Sequence, residues 1–516
     1  MFEKVLMMVL FFAVTVSIGV YCRRHATNVN DFVLGGRNMG PWLSAFAYGT
    51  TYFSGVVFVG YAGQFGWNFG LSVTWIGIGN AIIGSFLAWV VLGRRTRVMT
   101  KHLDSATMPD FFGKRYGSNA LKIVVSILIF VFLVPYSASV YKGLSQLFVM
   151  AFGIDFIYCV IGMAVLTGIY VVLGGYVAVA LNDVLQGIVM VFSIISIIFV
   201  VLRSRGGLMA AIAELSQIPS ETVPELQGAY VSFLGPVPLA MLAVMILTSM
   251  GTWGLPQMVH KFYTIKNEKA IQAGTVISTL FALIIAGGSY FLGSFGRLFY
   301  TPGADGRVAY DDIVPTMLGS VLPDILIGLV IIMVLSASMS TLSSLVITSS
   351  STFTLDFLKG TIIKDMSNRT QVAIIKGLCV LFVVLSVVIA INPNNLITTL
   401  MGLSWGTLAG AFLGPFLYGL FWKRANKAAL WASIALSLLI NVANLLTGYT
   451  AAPIAGAVAI LLSLVIVPVV SLITPRQDPA FIESVFSCYD EKIQMSVEHK
   501  FHLKENEDNG NGNNAH

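Results

Sequence analysis

The sequence predicts an all-helical integral membrane protein with about thirteen transmembrane helices. Of its 516 residues, 56% are hydrophobic and only 10% are charged, a balance far from that of soluble domains. The apolar residues form long runs such as 123–134 and 184–202, which approach the roughly 20 residues that a helix needs to cross a bilayer. Because the sequence shows no alternating ten-residue segments typical of transmembrane strands, a helical bundle is favoured over a barrel.

Hydropathy and helix-breaking residues predict where the spans lie. They are expected near 4–22, 41–66, 70–93, 120–150, 154–175, 183–203, 229–252, 270–296, 321–356, 371–391, 396–421, 427–447 and 451–473. The first run ends in Arg23 and Arg24 and not at a small-residue cleavage site, so it is predicted to be a retained span. Residues 1–475 are therefore predicted to form one transmembrane domain, and the polar segment 476–516 a disordered cytoplasmic tail.

The distribution of Lys and Arg predicts the orientation. With an odd number of spans the termini lie on opposite sides, and positive residues mark the cytoplasmic loops. If the N-terminus is outside, most Lys and Arg residues, Lys261 among them, fall in inward loops. The outward side then holds Lys4, Arg203, Arg205, Arg297 and Arg307. The sequence thus predicts a multi-pass cell-membrane protein with an outer N-terminus and a cytoplasmic C-terminus. The net charge of +6 is explained by topology, so no nucleic-acid partner is expected.

Several classes of activity are disfavoured by the sequence. It contains no Gly-x-x-x-x-Gly-Lys-Ser/Thr phosphate loop, which argues against an ATP-driven pump. The four cysteines are scattered without metal or redox spacing. No metal-ligand spacing or nucleophile–base pair occurs in the predicted spans, so an enzyme is not expected. The expected partners are the lipid bilayer and a small solute, with no obligate protein partner.

Hydroxyl side chains are concentrated inside the ninth predicted span. Eleven of the seventeen residues in 336–352 carry one: Ser336, Ser338, Ser340, Thr341, Ser343, Ser344, Thr348, Ser349, Ser350, Ser351 and Thr352. Such residues commonly pack helices closely or bond back to their own helix. However, Ser340, Ser343 and Ser344 share one helical face, with Thr341 beside it. Converging hydroxyl oxygens of this kind suit a small hard cation such as Na⁺.

Two further features lie near the membrane interior. Small and polar residues in 47–55 interrupt an apolar helix, and a half-helix that ends at this depth leaves carbonyls free for a cation. A kink that only serves packing is the alternative. Asp183 stands at the start of the sixth predicted span, where it would either cap the helix or neutralise a bound cation. Both interpretations of Asp183 stay open at this point.

Lys142, Trp253 and Trp405 are also unusual for their positions. Lys142 falls in the middle of the fourth span, where a charge costs at least roughly 2.5 to 3.5 kcal/mol. It is therefore expected to face an interior partner, which is either a substrate carboxylate or a fixed acid. Trp253 and Trp405 lie at Gly-rich interruptions, where aromatic residues line cavities or belong to an interfacial belt.

Taken together, these residues resemble the sodium:solute symporter family, from Phe32 to about Ile473. The most specific segments are 31–37, 174–175 with 181–187, 339–343 and 420–426. The resemblance implies a LeuT-like core in which residues 41–203 and 229–421 form two inverted repeats of five helices. One extra helix precedes this core and two follow it.

The resemblance also implies where sodium binds. The family's conserved site would use the carbonyls of Thr50, Phe53 and Ala337 and the hydroxyls of Ser340 and Thr341. A second site, found in some members, would use Asp183, Ser340, Ser343 and Ser344. Since all of these side-chain groups are present, Na⁺ is the expected coupling ion and Asp183 is expected to be functional.

For the solute, Val56 and Val57 replace the polar contacts of the galactose transporters, which argues against a sugar. The resemblance to the proline symporters of this family implies that Ser54, Tyr52, Tyr136 and Trp405 bind substrate. Lys142 and Trp253 are further candidates because of their positions. The expected function is sodium-coupled import of a small amino acid, proline-like first, or of a small carboxylate. Pantothenate or a monocarboxylate is the alternative substrate. Proton coupling through Lys142 or Asp183 and a sodium channel are the alternative mechanisms.

Overall fold

The computed structural model describes residues 2–22, 29–304, 306–363, 365–392 and 396–489. All regular elements within these ranges are helical, which confirms the all-helical part of the predicted fold class. Among the described residues, 11 helices are long and apolar enough to cross a membrane, so the predicted count of about thirteen is not confirmed. One of them, Val56–His102, has 47 residues, about twice the length that one crossing requires. The shorter apolar helix Phe156–Ile169 is not among the 11.

The helices are numbered here in chain order. They are α1 (Phe2–Cys22), α2 (Val29–Leu34), α3 (Pro41–Tyr52), α4 (56–69), α5 (70–102), α6 (Met108–Tyr116), α7 (Asn119–Phe152), α8 (156–174), α9 (Gly175–Ser204), α10 (Leu208–Ser216), α11 (Pro238–Met250), α12 (Pro256–Tyr263), α13 (Glu268–Leu298), α14 (Ile313–Val321), α15 (Asp324–Ile362), α16 (Asn368–Ala390), α17 (Ile397–Phe421), α18 (Lys427–Thr447), α19 (Ala452–Ile473) and α20 (Pro479–Phe486).

Two helical spans are broken inside the bundle. α3 ends at Tyr52, and the backbone is extended at Phe53 (φ −110°, ψ 107°) before helical structure resumes. α11 and α12 are separated by a 3₁₀ turn and by Leu255, which is also extended (φ −80°, ψ 125°). Pro256 then starts α12, where its missing N–H costs no helical hydrogen bond. Each break leaves backbone carbonyls without partners in their own helix.

The half-helices α3 and α12 are joined at one end. The amide of Met39 donates to the carbonyl of Thr264 at 3.1 Å, and the amide of Lys266 donates to the carbonyl of Met39 at 3.0 Å. Farther along, the rings of Tyr48 and Phe262 pack with centroids 5.5 Å apart. The two half-helices therefore lie side by side on the same side of the two breaks.

The bend between α8 and α9 changes the interpretation of Asp183. Gly175 adopts φ 60° and ψ −172°, a conformation that a residue with a Cβ rarely adopts. α9 starts at this glycine and not near residue 183, so Asp183 lies two turns inside the helix. The capping interpretation of Asp183 is therefore wrong, because its position is in a helix interior.

α15 and α12 form the most buried part of the bundle. Every residue of α15 from Val330 to Thr352 is buried, and so are all eight residues of α12. α15 packs against α9, α7, α3 and α1. The hydroxyl-rich segment thus faces other helices on all sides and not lipid, and it reaches both broken spans.

The segment predicted to be a disordered tail is ordered at its start. Pro479–Phe486 form α20, and the side chains of Ile482, Val485 and Phe486 are buried. Gln477 donates to the carbonyl of Tyr116 at 2.9 Å. Residues 479–489 are thus helical at the start of the tail that was expected to be mostly disordered, because these few apolar residues follow helical spacing and can pack on one face. Residues 490–516 lie outside the described part of the chain.

A candidate sodium and solute site

Most of the first predicted sodium site comes together where α3 ends against the middle of α15. The hydroxyl oxygen of Thr341 lies 3.1 Å from the carbonyls of Ala337 and Thr51 and 3.4 Å from that of Thr50. Ser340 donates its hydroxyl to that of Thr50 at 2.8 Å. All five residues are buried, so this group of oxygen atoms is shielded from solvent.

Phe53, the remaining predicted ligand, occupies the break itself. Its amide donates to the carbonyl of Gly49 at 3.3 Å, and its ring stacks on Tyr52 with centroids 4.1 Å apart. Because α3 stops here, its last carbonyls have no amide partner farther along the helix. This end of a helix carries partial negative charge, which favours a cation. An all-oxygen donor set of carbonyls and hydroxyls fits Na⁺.

The second predicted set lies beside a fixed cation. Ser343 donates its hydroxyl to the carbonyl of Met339 in its own helix at 2.6 Å. The hydroxyl of Ser344 lies 2.9 Å from that of Thr51 and accepts a hydrogen bond of 2.9 Å from the ammonium of Lys261. A fixed cation therefore contacts one of the residues predicted to hold a second sodium ion.

Lys261 is the residue of this region that sequence reasoning missed. It was assigned to an inward loop, but it lies within α12 with only 1% of its surface exposed, so that assignment is wrong. Its ammonium lies 5.1 Å from the centroid of the Tyr176 ring, a cation–π distance. The segment 256–263 is too polar to be recognised as part of a membrane span by hydropathy, because it contains Gln257, His260 and Lys261. The Gly/Pro break before it was the signal that could have identified a second half-helix.

Asp183 supplies the negative charge of this region. It is fully buried, and neither carboxylate oxygen has a hydrogen-bond partner within the described part of the chain. The hydroxyls of Ser340 and Thr50 and the ammonium of Lys261 lie close enough to stabilise the carboxylate. Since a buried charge is costly unless it is compensated, Asp183 and Lys261 are best described as one electrostatic unit.

An aromatic cluster borders the break in α3. The ring centroid of Trp405 lies 6.2 Å from that of Tyr52 and 5.8 Å from that of Tyr136, and all three residues are buried. The hydroxyl of Tyr136 lies close to the indole nitrogen of Trp405 and to Ser54, but neither this hydroxyl nor that nitrogen makes a well-formed hydrogen bond among the described residues. Buried polar atoms are normally paired, so these atoms mark a place where a polar ligand would be stabilised.

Trp253 and Lys142 have other partners. The indole nitrogen of Trp253 donates to the carbonyl of Ile83 in α5 at 3.0 Å. Lys142 is buried and is attracted electrostatically by Asp311 and Asp312. Of the two partners expected for Lys142, the structure supplies the fixed acid.

The acids that attract Lys142 lie in the turn Tyr310–Asp312, just before α14. Asp311 accepts a hydrogen bond of 3.4 Å from the amide of Ile397, and Asp312 accepts one of 3.1 Å from Gln146. Burial raises the pKa of Asp311 to about 6, although the charge of Lys142 opposes this shift. These contacts join α7, the turn and the start of α17.

The raised pKa of Asp311 predicts a pH-dependent stability. Folded protein keeps this proton up to about pH 6, whereas the unfolded chain loses it near pH 4. The stabilisation is thus complete below about pH 4 and is lost as the pH rises through 6. Asp311→Asn keeps the group neutral, so at pH 8 it should increase the free energy of unfolding by up to about 3 kcal/mol and thereby raise the thermal midpoint. The difference from wild type should shrink below pH 5.

Thermal unfolding in detergent between pH 4.5 and 8 measures this effect, with the exposed Asp365→Asn as the control that should not change the pH profile. A lower midpoint for Asp311→Asn at pH 8 would mean that attraction to Lys142 outweighs the cost of burial.

Two spans broken inside the bundle, an all-oxygen cluster at one break and an aromatic cluster beside it are features typical of secondary transporters. Comparison with family models gives the particular family. Residues 32–435 match the sodium:solute symporter family, and the chain belongs to this family. The resemblance seen in the sequence is thereby confirmed.

Two relatives match most of the chain. It is 28% identical over 484 residues to the osmoregulated proline transporter OpuE of Bacillus subtilis strain 168, covering 92% of this chain and 95% of that protein. It is 28% identical over 450 residues to the sodium/proline symporter of Staphylococcus aureus strain bovine RF122 / ET3-1, covering 85% of each.

Solved structures show the same fold. A Na⁺-coupled sialic acid symporter in a substrate-bound outward-open state matches with a TM-score of 0.73 and 18% identity, covering 92% of this chain and 99% of that one. Mhp1, a nucleobase-cation-symport-1 family transporter, matches with a TM-score of 0.53 and 13% identity, covering 88% and 97%. At these identities the similarity concerns the fold alone.

Proposed function

We propose that this chain imports proline or a close analogue together with sodium across the cell membrane. The observation that best supports the proposal is the buried cluster of Tyr52, Tyr136 and Trp405 beside the first proposed sodium site. Aromatic faces pack against a small apolar ring and attract its ammonium group. The unpartnered hydroxyl of Tyr136 and indole N–H of Trp405 are donors for a carboxylate. The names of the two relatives support the same substrate class.

The proposed ion site explains why sodium and solute would bind together. Sodium would be held by the carbonyls of Thr50, Phe53 and Ala337 and the hydroxyls of Ser340 and Thr341. Since Phe53 stacks directly on Tyr52, the ion ligands and the solute cluster share the residues of one break. An ion that orders this break would raise the affinity for solute, and by linkage solute would raise the affinity for sodium by the same factor.

The proposal also specifies the number of membrane crossings, the two repeats and the orientation of the termini. Gly70 has φ 61°, so the long segment 56–102 would turn there and cross the membrane twice. With α8 as one more crossing, the total would be thirteen. The two broken spans would then open the inverted repeats 41–203 and 229–421, with residues 1–475 as one transporter domain. The loop charges support an outer N-terminus and a cytoplasmic C-terminus.

The direct test is uptake of radiolabelled proline into proteoliposomes under an inward gradient of sodium, potassium or protons. Accumulation should require the sodium gradient and should be inhibited by unlabelled proline more strongly than by other amino acids, pantothenate or monocarboxylates. Accumulation driven by protons alone would contradict sodium coupling. Stronger inhibition by a carboxylate than by proline would contradict the proposed substrate.

The solute cluster is tested by Tyr136→Phe, which removes one hydroxyl and keeps the ring. Loss of a hydrogen bond to a charged group costs about 1.5 to 3 kcal/mol, so the KM for proline should rise by about 10- to 100-fold. Tyr141→Phe is the matched control, because Tyr141 lies buried on the same helix outside the cluster. Equal KM values for the two variants would remove Tyr136 from the solute site.

A further inference from the structure

The environment of Lys261 differs from what a second bound sodium ion requires. Its ammonium donates to Ser344 at 2.9 Å and faces the ring of Tyr176 at 5.1 Å. It is also attracted by Asp183, the only acidic residue predicted for the second site. The fixed ammonium therefore places a positive charge near Asp183 and contacts one oxygen, that of Ser344, which the ion would need.

The other hydroxyls of the second set donate their protons elsewhere, Ser343 to the carbonyl of Met339 and Ser340 to Thr50. Their oxygen lone pairs stay available to a cation, so the obstacle to a second ion is the ammonium of Lys261. A sodium ion brought to Asp183 would stand beside an ammonium in a region from which solvent is excluded. Like charges repel strongly there, because the surrounding dielectric is low. The residues present do not fit a second sodium ion while Lys261 lies in this position.

We propose that the ammonium of Lys261 takes the place of a second sodium ion and permanently neutralises Asp183. The transporter would then bind one sodium ion per chain and move one net positive charge with each neutral amino acid. The proposal rests on the proposed sodium-coupled function and specifies its ion requirement. It makes Lys261 the residue that sets the stoichiometry.

The position of Lys261 explains how a side-chain cation could replace a second sodium ion between three helices. Lys261 belongs to α12, whereas its partners Ser344 and Asp183 belong to α15 and α9. An ion at this place would hold these three helices together only while it is bound. The ammonium, by contrast, is covalently attached to α12, so the link needs no second ion in solution.

The test is equilibrium binding of radiolabelled sodium to the purified full-length protein in nanodiscs, counted per chain. Wild type and Lys261→Arg, which keeps the positive charge, should each bind one ion. Lys261→Ala removes the ammonium from Ser344 and from the neighbourhood of Asp183 and should bind two, and the double variant Lys261→Ala with Asp183→Asn should return to one. Two ions per wild-type chain, or one ion in Lys261→Ala, would overturn the proposal.

A second measurement uses only the wild-type protein and therefore does not depend on whether the variants fold. In voltage-clamped proteoliposomes, the ratio of charge moved to proline transported should be one for the wild type. A ratio of two would overturn the role of Lys261 and leave sodium coupling intact. Wild-type protein that binds no sodium would instead refute the proposed function, and the inference about Lys261 with it.

Discussion

Replacing Thr341 by valine should raise the sodium concentration that half-saturates uptake by on the order of 100-fold, which corresponds to about 3 kcal/mol. Valine keeps the shape of the side chain and removes only the hydroxyl. In the structure this hydroxyl lies within 3.4 Å of three backbone carbonyls, those of Thr50, Thr51 and Ala337. The variant therefore removes one proposed ion ligand and leaves buried acceptors without their donor.

The matched control for this prediction is Thr341→Ser, which removes the methyl group and keeps the oxygen. Its half-saturating sodium concentration should stay within about fivefold of wild type, since the loss of one methyl costs roughly 1 kcal/mol at most when the ligand remains. Uptake measured over a sodium titration at constant ionic strength gives both values. If valine and serine had equal effects, packing and not ligation would explain the role of Thr341.

Replacing Gly66 by alanine should destabilise the folded transporter by about 3 kcal/mol or more, because two helices meet there through their backbones. A Cβ at Gly66 in α4 would lie 2.2 Å from the carbonyl oxygen of Gly293 in α13, and a Cβ at Gly293 would lie 2.2 Å from that of Ala62. Neither neighbour is a flexible side chain, so α4 and α13 would have to separate.

This second prediction is measured as the thermal midpoint of the detergent-solubilised protein by fluorescence-detected size-exclusion chromatography. The control is Gly162→Ala in α8, where a Cβ would meet no atom within 4 Å. That variant should be as stable as wild type or slightly more stable, since alanine favours helix. An unchanged midpoint for Gly66→Ala would mean that α4 and α13 do not approach this closely in the membrane.

The parts of the fold that sequence reasoning predicted are those with strong local signals. Long apolar runs predicted the helical spans, and the small and polar residues of 47–55 predicted the break after Tyr52. The hydroxyl-rich segment of α15 was recognised because its composition is unusual for a membrane helix. Each of these signals lies within about one helix length of sequence.

What sequence reasoning missed depends on residues distant in the chain. Lys261 looks like a loop cation because α12 is short and polar, and its burial results from packing against Ser344, 83 residues away. The acids that attract Lys142 come from a turn between distant helices, which hydropathy does not relate to α7. Asp183 was placed at a helix start because no local signal other than Gly175 marks where α9 begins.

The backbone hydrogen bonds between Met39 and Thr264 limit how the site can open. They connect the end of α3 that is distant from its break to the corresponding end of α12, and the packing of Tyr48 on Phe262 extends the attachment along their length. If α3 or α12 moved alone, these backbone hydrogen bonds would break and no other groups would replace them. The two half-helices would instead tilt together as one rigid body, with Phe53 and Leu255 as the hinges. Ion and solute would then be released through the same opening, formed by a single movement. Such a movement would limit the uncoupled leak of sodium.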